Sequence, residues 1–112
     1  MTESHQQFSY DHVYSPETNT EEVYRLQCAE IVVGRMEVYN GTIFAYGQTS
    51  SGKAHTLLDY PNTSPGVGIL AFDAVFNEID RRVGNETTVI VAYLELCNES
   101  ISDLLQEDKD TA

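Results

Sequence analysis

Hydrophobic and polar positions change period several times along the chain. Residues 1–7 are polar and predict a disordered N-terminus. Phe8, Tyr10, Val13 and Tyr14 alternate in part with polar neighbours, which predicts a short strand. Ser15-Pro16-Glu17-Thr18-Asn19 reads as a turn. Asn19 followed by Glu22, or Thr18 followed by Glu21, has capping-box spacing, so a helix should begin near Thr20. It should run to about Glu37. Val23, Leu26, Ala29, Val33 and Met36 form one apolar stripe on it, and Tyr24, Cys28, Ile31 and Val32 a second. Two stripes predict a helix buried on more than one side.

Residues 42–46, Thr-Ile-Phe-Ala-Tyr, form a β-type run, and a short helix is expected around 52–58. Pro61, Asn62, Ser64, Pro65, Gly66 and Gly68 mark a surface loop. A second helix should span about 67–83, because Ile69, Phe72, Phe76, Ile79 and Val83 recur at helical spacing. Gly84-Asn85 ends it. Residues 87–96 read as a strand whose Val89-Ile90-Val91-Ala92 core is apolar on both faces, as in an interior strand. Residues 100–105 predict a short helix or turn, and residues 106–112 an acidic disordered tail. Residues 8–105 thus read as one α/β unit, a βαβαβ segment of a layered sandwich.

The run 42–46 feeds into Gly47-Gln48-Thr49-Ser50-Ser51-Gly52-Lys53. A strand followed by G-x-x-x-x-G-K is the phosphate-cradling loop of nucleotide-binding domains. The two glycines let the backbone fold into a nest whose N–H groups face phosphate oxygens. Lys53 supplies a point charge for the outer phosphates, and a helix starting near Gly52 adds the positive end of its dipole. By chance, two glycines and a lysine at this spacing arise in roughly 3% of chains this long, so the flanking run matters. One position departs from the motif. Ala54 stands where a Ser or Thr hydroxyl would bind Mg²⁺. Thr56 cannot replace it, because two residues along a helix is a rotation of about 200°.

Composition narrows the partners. The 112 residues include 18 acidic and 6 basic side chains, a net charge of −12. Nucleic acid and anionic membrane surfaces are therefore not expected partners. No apolar run reaches the length of a membrane span, and no secretion signal is visible. Cys28 and Cys97 read as small buried hydrophobes in a reducing compartment. His5, His12 and His55 lack metal-ligand spacing. Sequons at Asn40, Asn62, Asn85 and Asn98 are expected to be silent. Glu95 and Glu99 would share a strand face about 13 Å apart, too far for paired acid–base work.

Residues 39–53, Tyr-Asn-Gly-Thr-Ile-Phe-Ala-Tyr-Gly-Gln-Thr-Ser-Ser-Gly-Lys, resemble the phosphate-loop signature of the kinesin motor domain. The resemblance extends from about Phe8 to Leu105. Phe8-Ser9-Tyr10-Asp11-His12-Val13-Tyr14 is similar to the family's second strand. Tyr93-Leu94-Glu95-Leu96-Cys97-Asn98-Glu99, with Ile101 and Asp103-Leu104-Leu105, is similar to the strand and turn after its second helix. The wording is nearest to conventional and centromere-associated kinesins.

The resemblance implies part of a P-loop NTPase three-layer sandwich. It implies ATP held by Gly47, Gln48, Thr49, Ser50, Ser51, Gly52, Lys53 and Ala54, with His55 against adenine, and a kinesin-type ATPase lineage that moves on microtubules. It places the chain in the cytoplasm on the cytoskeleton, within a parent that dimerises through a coiled coil. Departures are Ala54, Thr56-Leu57-Leu58-Asp59 for Thr-Met-x-Gly, and Gly68-Ile69-Leu70-Ala71-Phe72 for Gly-Ile-Ile-Pro-Arg. The switch segments and main microtubule-binding elements of the family have no counterpart in these residues. Weakened Mg²⁺ coordination and deficient hydrolysis by this chain alone are expected. The alternative expectation is a non-enzymatic, motor-derived interaction module or a truncated gene product.

Overall fold

A computed structural model describes residues 6–34, 40–58, 64–84 and 86–106. The expectations for most of residues 1–7, for the end of the first helix near Glu37, for most of the 59–68 loop and for the tail beyond 106 lie outside the described residues.

The first helix starts where its cap predicts. Asn19 is extended, and its Oδ1 accepts the Glu22 N–H at 2.8 Å. That satisfies one of the donors that a helix start leaves open. Helix α1 (Thr20–Val23) runs through a π-turn (Tyr24–Cys28) into α2 (Ala29–Val32). The π-turn explains which face is covered. Thr20, Tyr24, Cys28 and Val32 are spaced by four, and in regular α winding each such step overshoots a full turn by about 40°. The looser turn, closed by Ala29 N–H to Tyr24 O, takes the overshoot back. Thr20 and Cys28 are buried, Tyr24 and Val32 half-buried, while Leu26 of the other stripe is 49% exposed. Val23, Ala29 and Val33 of that stripe are half-buried as well, so both predicted stripes are partly covered, with Thr20 and Cys28 the most buried positions.

Helix α3 (Lys53–Leu57) is short, and α4 (Val67–Arg81) is the longest element described. Helix α4 packs against α1, the π-turn, α2 and α3. Its N-terminus lies close against the end of α3. Gly66 is buried, and a Cβ there would strike the Leu58 carbonyl. Only glycine lets α4 begin so close to the end of α3. Val67 is buried beside it. At the other end, Arg82 meets Glu78 at 3.2 Å. Burial pushes the Cys28 thiol pKa up, and burial, then the nearby Cys28, does the same for Tyr24.

The sheet differs from the expectation. Strand β1 (Leu94–Cys97) pairs antiparallel with β2 (Ser100–Asp103), with Leu94 opposite Asp103 and Cys97 opposite Ser100. The expected α/β three-layer sandwich is represented among the described residues by its helices and this hairpin. Residues 8–14, 40–46 and 86–93 join no ladder. A parallel strand needs neighbours delivered by crossovers, whereas a hairpin supplies its own partner across two residues. Residues 100–103 are accordingly strand rather than helix. Asn98 and Glu99 turn the hairpin with φ of 49° and 63°, which places Glu99 in the turn and off the strand of Glu95. Cys97, expected to be buried, is exposed.

Little surface is covered. The chain exposes 10517 Å², where a compact domain of its mass would expose roughly 6,200 Å². Phe44 is 80% exposed and Ile90 89%.

Candidate phosphate-binding site

Short-range hydrogen bonds build the loop. Ser51 N–H donates to Gln48 O at 3.2 Å, closing a tight turn. Ser50 (φ 64°) and Gly52 (φ 93°) take left-handed conformations, of the kind that anion-binding nests use. The chain then enters α3, where Thr56 N–H donates to Gly52 O at 2.9 Å and Leu58 N–H to Ala54 O at 2.8 Å.

Lys53 folds back over this turn. Its Nζ donates to Gly47 O at 2.8 Å and to Gln48 O at 2.7 Å. An ammonium carries three donors, so one remains after the loop is braced. The N–H groups of Thr49, Ser50, Gly52 and Lys53 have no protein acceptor among the described residues. The loop therefore collects donors and holds a fixed positive charge beside them. Such a set suits a polyanion and offers little to a cation. Because α3 is only five residues long, its dipole is small, and the loop donors carry the site.

A cleft of about 470 Å³ opens over the loop, lined by Thr49, Ser50, Gly52, Lys53, Ala54 and His55. That volume lies within the ordinary range for small-molecule sites. Of the nine residues singled out in the sequence, these six face the cleft. The other three shape it from behind: Gly47 and Gln48 hold the lysine, and the Ser51 hydroxyl packs against Gly47. Lys53 is half-buried, and its eight companions are exposed.

The position after Lys53, where the motif places a hydroxyl for Mg²⁺, carries no such group. Ala54 offers a methyl group at the cleft, and Thr56 is not part of its lining. No group of three or more His, Cys, Asp or Glu able to hold a metal ion occurs among the described residues. No helix among them is long and apolar enough to cross a membrane.

A second, apolar groove went unread in the sequence. It encloses about 340 Å³ where Leu57, Ile69 and Phe72 approach Val91, Tyr93 and Leu105. The helical stripe of α4 included Phe72, which is 47% exposed; the approach of residues 91–93 left no local signal.

Comparison with known proteins gives one consistent result. The family model of the kinesin motor domain matches residues 1–112. The kinesin-like protein KIN-7K, chloroplastic, of Oryza sativa subsp. japonica is 48% identical over 98 residues, covering 88% of this chain and 9% of that protein. The kinesin-like protein KIN-7M, chloroplastic, of Arabidopsis thaliana is 44% identical over 101 residues, covering 88% of this chain and 9% of its own. The kinesin-like protein KIN-7C, mitochondrial, of the same plant is 44% identical over 98 residues, 88% of this chain and 11% of its own. The chain spans about a tenth of the length of these curated relatives. No solved structure matches it.

Proposed function

This chain belongs to the kinesin motor-domain family, and so to the P-loop NTPase fold class; from that premise we propose that residues 47–55 bind the triphosphate of ATP. The observation that carries the reading is the loop itself. Backbone donors at Thr49, Ser50, Gly52 and Lys53 stand without acceptors around an ammonium already braced by Gly47 and Gln48. The β- and γ-phosphates take the loop donors and the remaining lysine proton, and His55 at the rim of the cleft meets the base.

Ala54 separates binding from turnover. In phosphoryl transfer the metal bridges the outer phosphates and offsets the developing charge. With no hydroxyl at position 54, this chain binds nucleotide with little help from Mg²⁺ and hydrolyses it poorly. The family's lineage function is movement along microtubules, so microtubules are the proposed partner and the cytoskeleton the proposed location. In the family's three-layer sandwich, residues 42–46 and 87–96 are inner strands, which accounts for the apolar backbones of 42–46 and 87–92 that join no ladder here. A parent dimerised by a coiled coil belongs to the same reading.

Calorimetric titration with ATP, with and without Mg²⁺, tests the proposal. The chain binds ATP, and Mg²⁺ leaves the affinity nearly unchanged. Lys53→Ala weakens binding on the order of 100-fold, as expected for loss of charge-assisted hydrogen bonds. Ala54→Thr restores dependence on Mg²⁺. Failure to bind, with the helical circular dichroism intact, would overturn the reading in favour of a motor-derived module that no longer holds nucleotide.

A further inference from the structure

We infer that Asn40 is a site of spontaneous deamidation, placed at the head of the segment that leads into the phosphate loop. The inference rests on Asn40, Gly41 and Ile31, and stands apart from the nucleotide reading.

The chemistry is intramolecular. The Gly41 backbone nitrogen attacks the Asn40 side-chain carbonyl carbon. A bond forms between that nitrogen and Cγ, the bond from Cγ to Nδ2 breaks, and ammonia leaves with the proton shed by the amide. Water then opens the resulting succinimide at either carbonyl, giving aspartate or isoaspartate. Two things ordinarily slow the attack: a side chain on the following residue, and a backbone hydrogen-bonded into a ladder.

Neither is present here. Asn40-Gly41 is the one Asn-Gly step in the chain. Asn40 and Gly41 are both exposed, and residues 40–46 join no ladder. Among the described residues nothing accepts the Gly41 N–H. Without a Cβ, Gly41 also reaches backbone angles that other residues resist.

The structure further explains why a slower sequence does not stand here. A Cβ at position 41 would lie 2.6 Å from Ile31 Cγ2 and 3.2 Å from Ile31 O. The packing of Ile31 against this step therefore disfavours a side chain at position 41. The product alters the approach to the loop. Isoaspartate at position 40 inserts an extra methylene into the main chain seven residues before the loop glycine Gly47, and each event adds one negative charge to a chain already at −12.

The test is a timed incubation of the whole chain at neutral and mildly alkaline pH, followed by trypsin and mass spectrometry. Cleavage after Arg35 and Lys53 releases residues 36–53, which contain Asn40 and no other asparagine. That peptide gains about 1 Da and splits into aspartate and isoaspartate forms. It does so about tenfold faster than the peptides holding the other five asparagines, because only Asn40 precedes glycine. The rate rises with pH, since the attacking amide must lose its proton. Asn40→Gln removes the gain, and it leaves the Gly41 contact untouched. A gain no faster at residues 36–53 than elsewhere, or one that survives Asn40→Gln, would overturn the assignment. So would a rate in the native chain less than about a tenth of that in denaturant, since the fold would then be protecting the step.

Discussion

Residues 47–58 and residues 86–93 are built on opposite principles. In the first, every backbone-shaping hydrogen bond among the described residues spans a few residues: Ser51 to Gln48, Lys53 to Gly47 and Gln48, Thr56 to Gly52. In the second, the apolar content is higher, yet the backbone joins no ladder and Ile90 is 89% exposed. Closing a short loop requires little ordering, so a few hydrogen bonds suffice to define it. An interior strand has no such local option. Its stability comes from neighbours that are distant in sequence and from layers laid over both faces. The phosphate loop is thus defined by its own residues, whereas the strand character of 86–93 is only potential.

Three substitutions break or sharpen this contrast. The largest effect belongs to Gly66→Ala. Its methyl would run into the Leu58 carbonyl, so α3 and α4 must separate, at about 1–3 kcal/mol for an overpacked contact between backbones. The thermal midpoint should fall and, because α3 carries Lys53, ATP affinity should fall with it. A variant with unchanged melting and binding would show that the loop does not depend on α4. Next is Asn19→Ala, which removes the side-chain acceptor of Glu22 N–H. It should cost about 1 kcal/mol, read as lost helical ellipticity, with ATP binding unaltered. Ile90→Thr should do least. At 89% exposure it is expected to stay within about 0.5 kcal/mol. A loss above that would mean residues 86–93 are covered in solution, and the contrast would fail.

The same contrast decides what could be read from the sequence. The cap at Asn19, the start of α1 at Thr20 and the extent of α4 were legible because side chains three or four residues apart specify them. The spacing of Gly47, Gly52 and Lys53 was legible because it matches the G-x-x-x-x-G-K pattern. The π-turn was not, since two apolar stripes look alike whether a helix is buried twice or wound loosely once. The hairpin was hidden by its turn. Left-handed angles at both central positions usually announce themselves as Asn-Gly, and here Asn98 is followed by Glu99. Val89 to Ala92 declared that the segment prefers burial and gave no sign of what it would be buried against. The bracing of Lys53 by two carbonyls was also invisible, because motif spacing names the ligand-facing group without saying what holds it.

The π-turn at Tyr24–Cys28 holds one residue of slack in an otherwise regular rod. Rewinding it to α geometry would lengthen the rod by about 1.5 Å and swing everything downstream by about 100°. Ile31 lies downstream, and Ile31 is the surface on which Gly41 rests. A single register slip in the first helix would therefore lift the support from beneath the segment that enters the phosphate loop. The two are joined like a ratchet tooth and its pawl, with a step size set by the winding of the helix.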